Sequence, residues 1–133
     1  MAGESTWWTS LLTRPVLSIC DIHSMPEYSM VTVSGILAMM VMEEKVVKSE
    51  TKFLLIMKML DRTGFIEVRS WTHTLADFSK HRDRPLLLKR VRVTSYAGTK
   101  MLELIDGTGS VAEAEFPEAE DLARFWREPA TVD

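Results

Sequence analysis

Cysteine is almost missing from this chain: Cys20 is the only one in 133 residues. One thiol closes no internal disulfide and forms no C-x-x-C zinc pair, so the expected compartment is intracellular and reducing. Long apolar runs are missing too. Ile36 to Met42 and Phe53 to Met57 fall far short of the roughly 18 residues of a membrane span, so no membrane partner is expected. The start of the chain, with Glu4, Trp7 and Trp8, lacks the basic-then-apolar order of a secretory signal. Glycine and proline are few, at six and five, which leaves no low-complexity segment and no internal repeat.

The residue patterns of catalysis are equally scarce. His23, His73 and His81 are scattered, with no paired Cys, His or carboxylate at the spacing of a tetrahedral metal site. There is no G-x-S-x-G elbow and no phosphate-cradling G-x-x-x-x-G-K loop. Asp106-Gly107-Thr108-Gly109 reads as a turn. The expectation is therefore a non-enzyme with no cofactor, no metal and no small-molecule substrate.

Charge, by contrast, is present and unevenly placed. The net charge is −3, yet residues 1–44 hold one basic residue against five acidic ones, residues 45–100 thirteen against five, and residues 101–133 two against nine. A basic middle between acidic ends points to an anionic partner for the middle.

Apolar periodicity divides the chain into residues 1–28 as an entry segment lying across the domain, 29–127 as the domain, and 128–133 as a tail. Ser29 to Met42 forms a β-rich run with Gly35 as a bulge or close-approach point. The charged stretch Glu43 to Glu50 reads as a mobile loop. Phe53, Leu55, Met57 and Met59 alternate with polar positions as in a half-buried strand, and Asp61-Arg62-Thr63-Gly64 turns it into a third strand from Phe65 to Trp71. Thr72 to Lys80 suits a short helix, followed by a basic loop from Ser79 to Arg84. Leu86 to Ser95 and Lys100 to Ile105 supply strands four and five. Pro117 to Arg127 starts with proline and acids and ends with arginines, matching the helix macrodipole. Five strands, a short helix between the third and fourth, and a closing helix are the order of an all-β, five-stranded OB-fold barrel; a small mixed barrel of another kind is the alternative.

Side-chain parity sorts the binding candidates. Ile66 and Val68 point to the core, leaving Glu67, Arg69 and Trp71 outside. Val91 and Val93 do the same for Arg90, Arg92, Thr94 and Tyr96, provided no bulge intervenes. Lys52 and Lys58 join them from the second strand. Cations beside two aromatic rings suit single-stranded nucleic acid, whose phosphates need neutralising and whose unpaired bases stack on flat side chains. The alternatives are a half-buried tryptophan at a strand end and an ordinary turn tyrosine.

The same stretches resemble the DNA-binding OB domains of replication protein A, most closely the second such domain of its large subunit. Leu60-Asp61-Arg62-Thr63-Gly64 resembles the family's D-x-[ST]-G turn. Ser70-Trp71 with Asp77-Phe78 resembles L-W-G-x-x-A-x-x-F. Arg92-Val93-Thr94-Ser95-Tyr96-Ala97-Gly98 resembles R-V-S-x-F-G-G, and Pro117-Glu118-Ala119 with Leu122 resembles the closing P-E-A-x-x-L helix. Val31 to Gly35 and Val68 to Trp71 also resemble the family's middle subunit. Thr72, Tyr96 and Ala97 depart from the pattern. The resemblance implies low-specificity binding of single-stranded DNA in replication, repair or recombination, with Trp71 and Tyr96 stacking on bases and Arg69, Arg92 and Lys100 on phosphates and base edges. One such domain alone should bind weakly, so other OB-fold subunits or domains are expected as partners, with Trp7, Trp8, Leu122 and Trp126 as docking candidates; the alternative for the closing helix is that it caps its own barrel. RNA binding and a protein-interaction role, including masking of the basic face by the acidic segment Glu113 to Asp121, stay open.

Overall fold

The computed structural model describes residues 16–105, 108–112 and 116–127. Its elements are β1 (Val16–Leu17), α1 (Ile19–Ile22), β2 (Met30–Val47), β3 (Glu50–Asp61), β4 (Gly64–Ser70), α2 (Leu75–Phe78), a 3-10 turn (Ser79–His81), β5 (Pro85–Tyr96), β6 (Thr99–Glu103), β7 (Gly109–Ala112) and α3 (Ala119–Arg127). The sheet order is β1-β2-β3-β4-β6-β5-β7, and an added β2–β5 pairing closes β2, β3, β4, β6 and β5 into a ring. β4 and β6 run parallel, and every other pair within the ring is antiparallel. This is the OB-fold barrel.

One strand makes the closure. β2 pairs with β5 from Met30 to Ile36 and with β3 from Ile36 to Val47. It must bend between partners, and Gly35 stands at the bend: a Cβ there would lie 2.8 Å from the backbone oxygen of Leu60. Only glycine admits so close a backbone approach. A register shift between Leu37 and Met39 adds further twist. Inside the ring, Val31, Val33, Leu55, Met57, Met59, Val68 and Leu88 join Ile19 and Ile22 in one buried cluster. The described part of the entry segment is thus built into the core.

A second cluster forms outside the barrel, where α3 and Phe116 bring Ala119 and Leu122 onto Ile36 and Leu87. Arg62 fastens this helix at 3.3 Å from Asp121, with its guanidinium 5.3 Å from the Phe125 ring. The adjacent Asp61 carboxylate accepts from Thr63 N, Thr63 Oγ1 and Gly64 N through Oδ1, and from Ile19 N through Oδ2. Thr63 Oγ1 in turn accepts from Cys20 N at 2.9 Å. So the Asp61–Gly64 turn joins the β3–β4 hairpin, α1 and α3.

Two sequence expectations change. Glu43 to Glu50 is a continuation of the β2–β3 hairpin, paired up to Val47↔Glu50. Lys48 and Ser49, at φ 51° and 67°, close it as a two-residue turn of the I′ kind without glycine. Secondly, Gly109 to Ala112 adds a strand, paired with Leu86 to Lys89, before the closing helix.

Candidate nucleic-acid interface

The outward row of β4 organises the site. Successive side chains alternate across a strand, so Phe65, Glu67, Arg69 and, just past the strand, Trp71 follow one another outside while Ile66 and Val68 are buried. At roughly 3.3 Å per residue the row spans about 20 Å. Two grooves flank it.

The first groove encloses about 620 Å³ where β4 and β6 diverge. These strands pair only at Val68↔Leu102 and Arg69↔Glu103, so towards their N-terminal ends a seam opens. Phe65 and Tyr96 line it with Lys58, Arg69 and Lys100. Lys58 Nζ lies 5.6 Å from the Phe65 ring centre, and the Arg69 guanidinium 5.5 Å from that of Tyr96. Both rings are open to solvent, Phe65 at 58% and Tyr96 at 68% of full exposure. Ala97 and Gly98, both at positive φ, make the tight turn that carries Tyr96. His23 Nε2, 3.0 Å from Phe65 O, closes the lower end.

The second groove, about 570 Å³, lies between the hairpin and the segment after β4, and is lined by Met42, Val47, Lys52, Phe53 and Trp71 to Thr74. Trp71 is 46% exposed and Phe53 56%. Ser70 fixes the tryptophan's surroundings from below: its buried hydroxyl accepts from Thr72 N and His73 N and lies 2.7 Å from His73 Nδ1.

The expected cations are divided in their use. Arg69 Nε donates to Glu67 at 2.6 Å. Arg92 is ion-paired with Glu103, leaving its Nε buried without a partner. Lys100 Nζ donates to Met25 O at 2.7 Å but keeps its charge at the first groove. Lys52 and Lys58 make no ion pair among the described residues. Arg90 departs from expectation: Val31↔Val91 and Val33↔Leu88 leave Lys89 and Arg90 together opposite Thr32. That bulge, with Arg90 at φ 60°, resets the parity of β5, and neither Arg90 nor Arg92 lines either groove. The middle of the face is therefore less basic than parity alone suggests, because Glu67 and Glu103 neutralise its two arginines.

Of the docking candidates, Leu122 is 5% exposed and occupied by this chain's own barrel, whereas Trp126 is exposed. Trp7 and Trp8 lie outside the described residues. Within the acidic segment, Asp121 binds Arg62 and Glu120 sits 3.6 Å from Arg124, so neither is paired with a groove cation; Glu113 to Glu115 lie outside the described residues. Phe53 and Phe65 were not among the residues selected from the sequence. Phe65 shares the parity of Arg69 and Trp71, which could have identified it. Phe53 shares the core parity of Leu55, and becomes exposed because the hairpin runs beyond the barrel that would have covered it.

No family model and no curated protein sequence matches the chain. Solved structures do. A replication protein A heterotrimer bound to single-stranded DNA superposes with a TM-score of 0.72 at 15% identity, over 86% of this chain and 28% of that one. An OB domain from Thermoplasma acidophilum gives 0.57 at 20% identity, over 73% and 85%. A murine DNA-binding protein bound with double-stranded DNA gives 0.57 at 16% identity, over 76% and 49%. These likenesses establish the fold.

Proposed function

We propose that this chain binds single-stranded nucleic acid, DNA foremost, with low sequence preference, as one OB module of a multi-domain or multi-subunit assembly, and that it acts by binding rather than catalysis. The carrying observation is the set of four exposed rings, Trp71 and Phe53 in one groove and Phe65 and Tyr96 in the other. Exposed apolar side chains gathered into one patch mark an interaction site, and flat rings accept any base. That structural neighbours include replication protein A with single-stranded DNA supports the reading.

Each step follows from the site. Bases stack on Trp71 and Tyr96, with Phe65 and Phe53 extending the two platforms. Lys52, Lys58 and Lys100 meet the phosphates, while Arg69, beside the Tyr96 ring and bonded to Glu67, orients that ring more than it neutralises charge. Two stacked bases at about 1–3 kcal/mol each plus a few screened contacts give roughly micromolar affinity, for which the standard free energy is about −8 kcal/mol. Tight binding then needs further modules, through effective concentration.

One observation favours a second reading. The neutralised pairs Arg69–Glu67 and Arg92–Glu103 would also suit a protein partner on the same face. Titration of labelled oligo-dT, oligo-rU and duplex DNA separates the two. Preference for single strands, lost in Trp71→Ala, supports nucleic-acid binding; no binding at low salt favours the protein partner.

A further inference from the structure

Among the described residues, the largest run of cations without an ion pair lines neither groove. Between α2 and β5 the chain runs Ser79-Lys80-His81-Arg82-Asp83-Arg84. Lys80, Arg82 and Arg84 are exposed and make no ion pair among the described residues, and neither does Asp83, the only acid among them. Beyond Pro85, the exposed Lys89 and Arg90 of the β5 bulge add two further cations that make no ion pair among the described residues. The loop's backbone is held: Asp83 N donates to Leu37 O at 2.7 Å, Leu37 N to Arg84 O at 3.2 Å, and Arg84 N to His81 O at 3.1 Å. Asp83 takes φ 61° to make the turn. His81 registers the local field, its pKa lowered first by burial and then by Lys80 and Arg84.

Its position relates it to the second groove. One wall of that groove, Trp71 to Thr74, leads directly through the four residues of α2 into the loop. The other wall is β2, whose Met42 and Val47 line the groove and whose Leu37 is bonded to Asp83 and Arg84. Met42 lies five steps along the strand from Leu37, about 17 Å at 3.3 Å per residue. Both walls therefore lead to the same fixed, cationic loop. Cations left without acids in the fold are those a polyanion can use, each releasing counterions when a phosphate replaces them.

We propose that Lys80, Arg82 and Arg84 form a second contact for the sugar-phosphate backbone, taking the strand that leaves the Trp71 groove past α2. This extends the binding mode proposed above and rests on it. The contact is electrostatic and reads no base, so it lengthens the site and leaves its sequence tolerance unchanged.

The test is anisotropy titration of the whole chain with two oligo-dT probes, one just long enough for the two grooves and one twice that length, over a salt series. Lys80→Glu, Arg82→Glu and Arg84→Glu are combined in one variant, with the corresponding Gln changes as a milder version and Trp71→Ala beside them. Thermal melts check folding. The expected result is that the longer probe binds the wild type more tightly than the shorter, and that the Glu variant abolishes this advantage. The slope of log affinity against log salt for the longer probe should then shrink in magnitude by about 2, three phosphates at about 0.7 each. Binding of the short probe should persist, and the Gln variant should fall between. Unchanged affinity and slope for the longer probe in the Glu variant, with Trp71→Ala still impaired, overturns the loop contact and keeps the groove. Loss of poly-glutamate binding in the Glu variant, with DNA binding intact, overturns it in favour of an acidic protein. If Trp71→Ala binds both probes like wild type, the groove reading itself fails.

Discussion

Trp71 and Tyr96 carry different burdens although both stack. Trp71 stands over a buried Ser70 hydroxyl network, and Tyr96 is presented on a two-residue turn and backed by Arg69. Truncating either to alanine should cost about 1–3 kcal/mol of binding, a loss of roughly five- to 150-fold, measured by anisotropy with oligo-dT. Phe65→Ala should behave similarly, since its ring lines the same groove as Tyr96. The acidic partners predict the opposite sign. Glu103→Gln releases Arg92 from its ion pair and should strengthen binding and steepen its salt dependence, whereas a protein-docking face gains nothing in DNA affinity from that change. His81 gives a pH effect on stability. Its folded pKa is lowered, so the unfolded chain takes up the proton more readily. Stability from the neutral imidazole is full above the ordinary value of about 6.5 and declines as pH falls below it towards the lower folded value. His81→Gln should flatten the pH dependence of the melting temperature across that window.

Among the elements, β2 bears the most constraint. Gly35→Ala would place a methyl against Leu60 O, and overpacking of this kind costs about 1–3 kcal/mol in a denaturant titration. The reverse device sits at the hairpin tip, where Ser49 adopts φ 67°; Ser49→Gly should stabilise by about 1 kcal/mol. These two positions also show what the sequence disclosed. Gly35 was legible as a close-approach point because glycine within a β-rich run has few other uses. The hairpin tip was not, because Lys48-Ser49 lacks the Asn-Gly signature and the dense mixed charge from Glu43 to Glu50 looks like a loop. Parity placed Glu67, Arg69 and Trp71 correctly on the outward row that β4 begins, because that strand is regular. It failed for Arg90 because a bulge shifts register without leaving a glycine to announce it. Ion pairs such as Arg92–Glu103 join residues eleven apart in sequence, and no local pattern signals them.

At the scale of the whole molecule, the α3 clasp is separable from the binding face, whereas the Asp61–Gly64 turn lends Thr63 and Gly64 to the first groove. The Asp61–Gly64 turn and α3 hold the outside together, while both grooves open along β4. Leu122→Ala should therefore destabilise by about 2–5 kcal/mol in a melt without changing DNA affinity below the transition. A chain cut after residue 111 should lose stability and gain no affinity, because the described acids of the closing segment are not paired with the groove cations. The molecule's net charge of −3 conceals a local arrangement in which cations flank the aromatic grooves and gather in one loop. The central claim is that exposed rings in grooves bind unpaired bases. Its most direct measurement is an anisotropy titration of labelled oligo-dT against duplex DNA of the same length, with wild type and Trp71→Ala at low and moderate salt. The account predicts roughly micromolar binding that favours the single strand, weakens with salt, and falls at least fivefold in the variant. Equal affinity of wild type and Trp71→Ala for oligo-dT would contradict it.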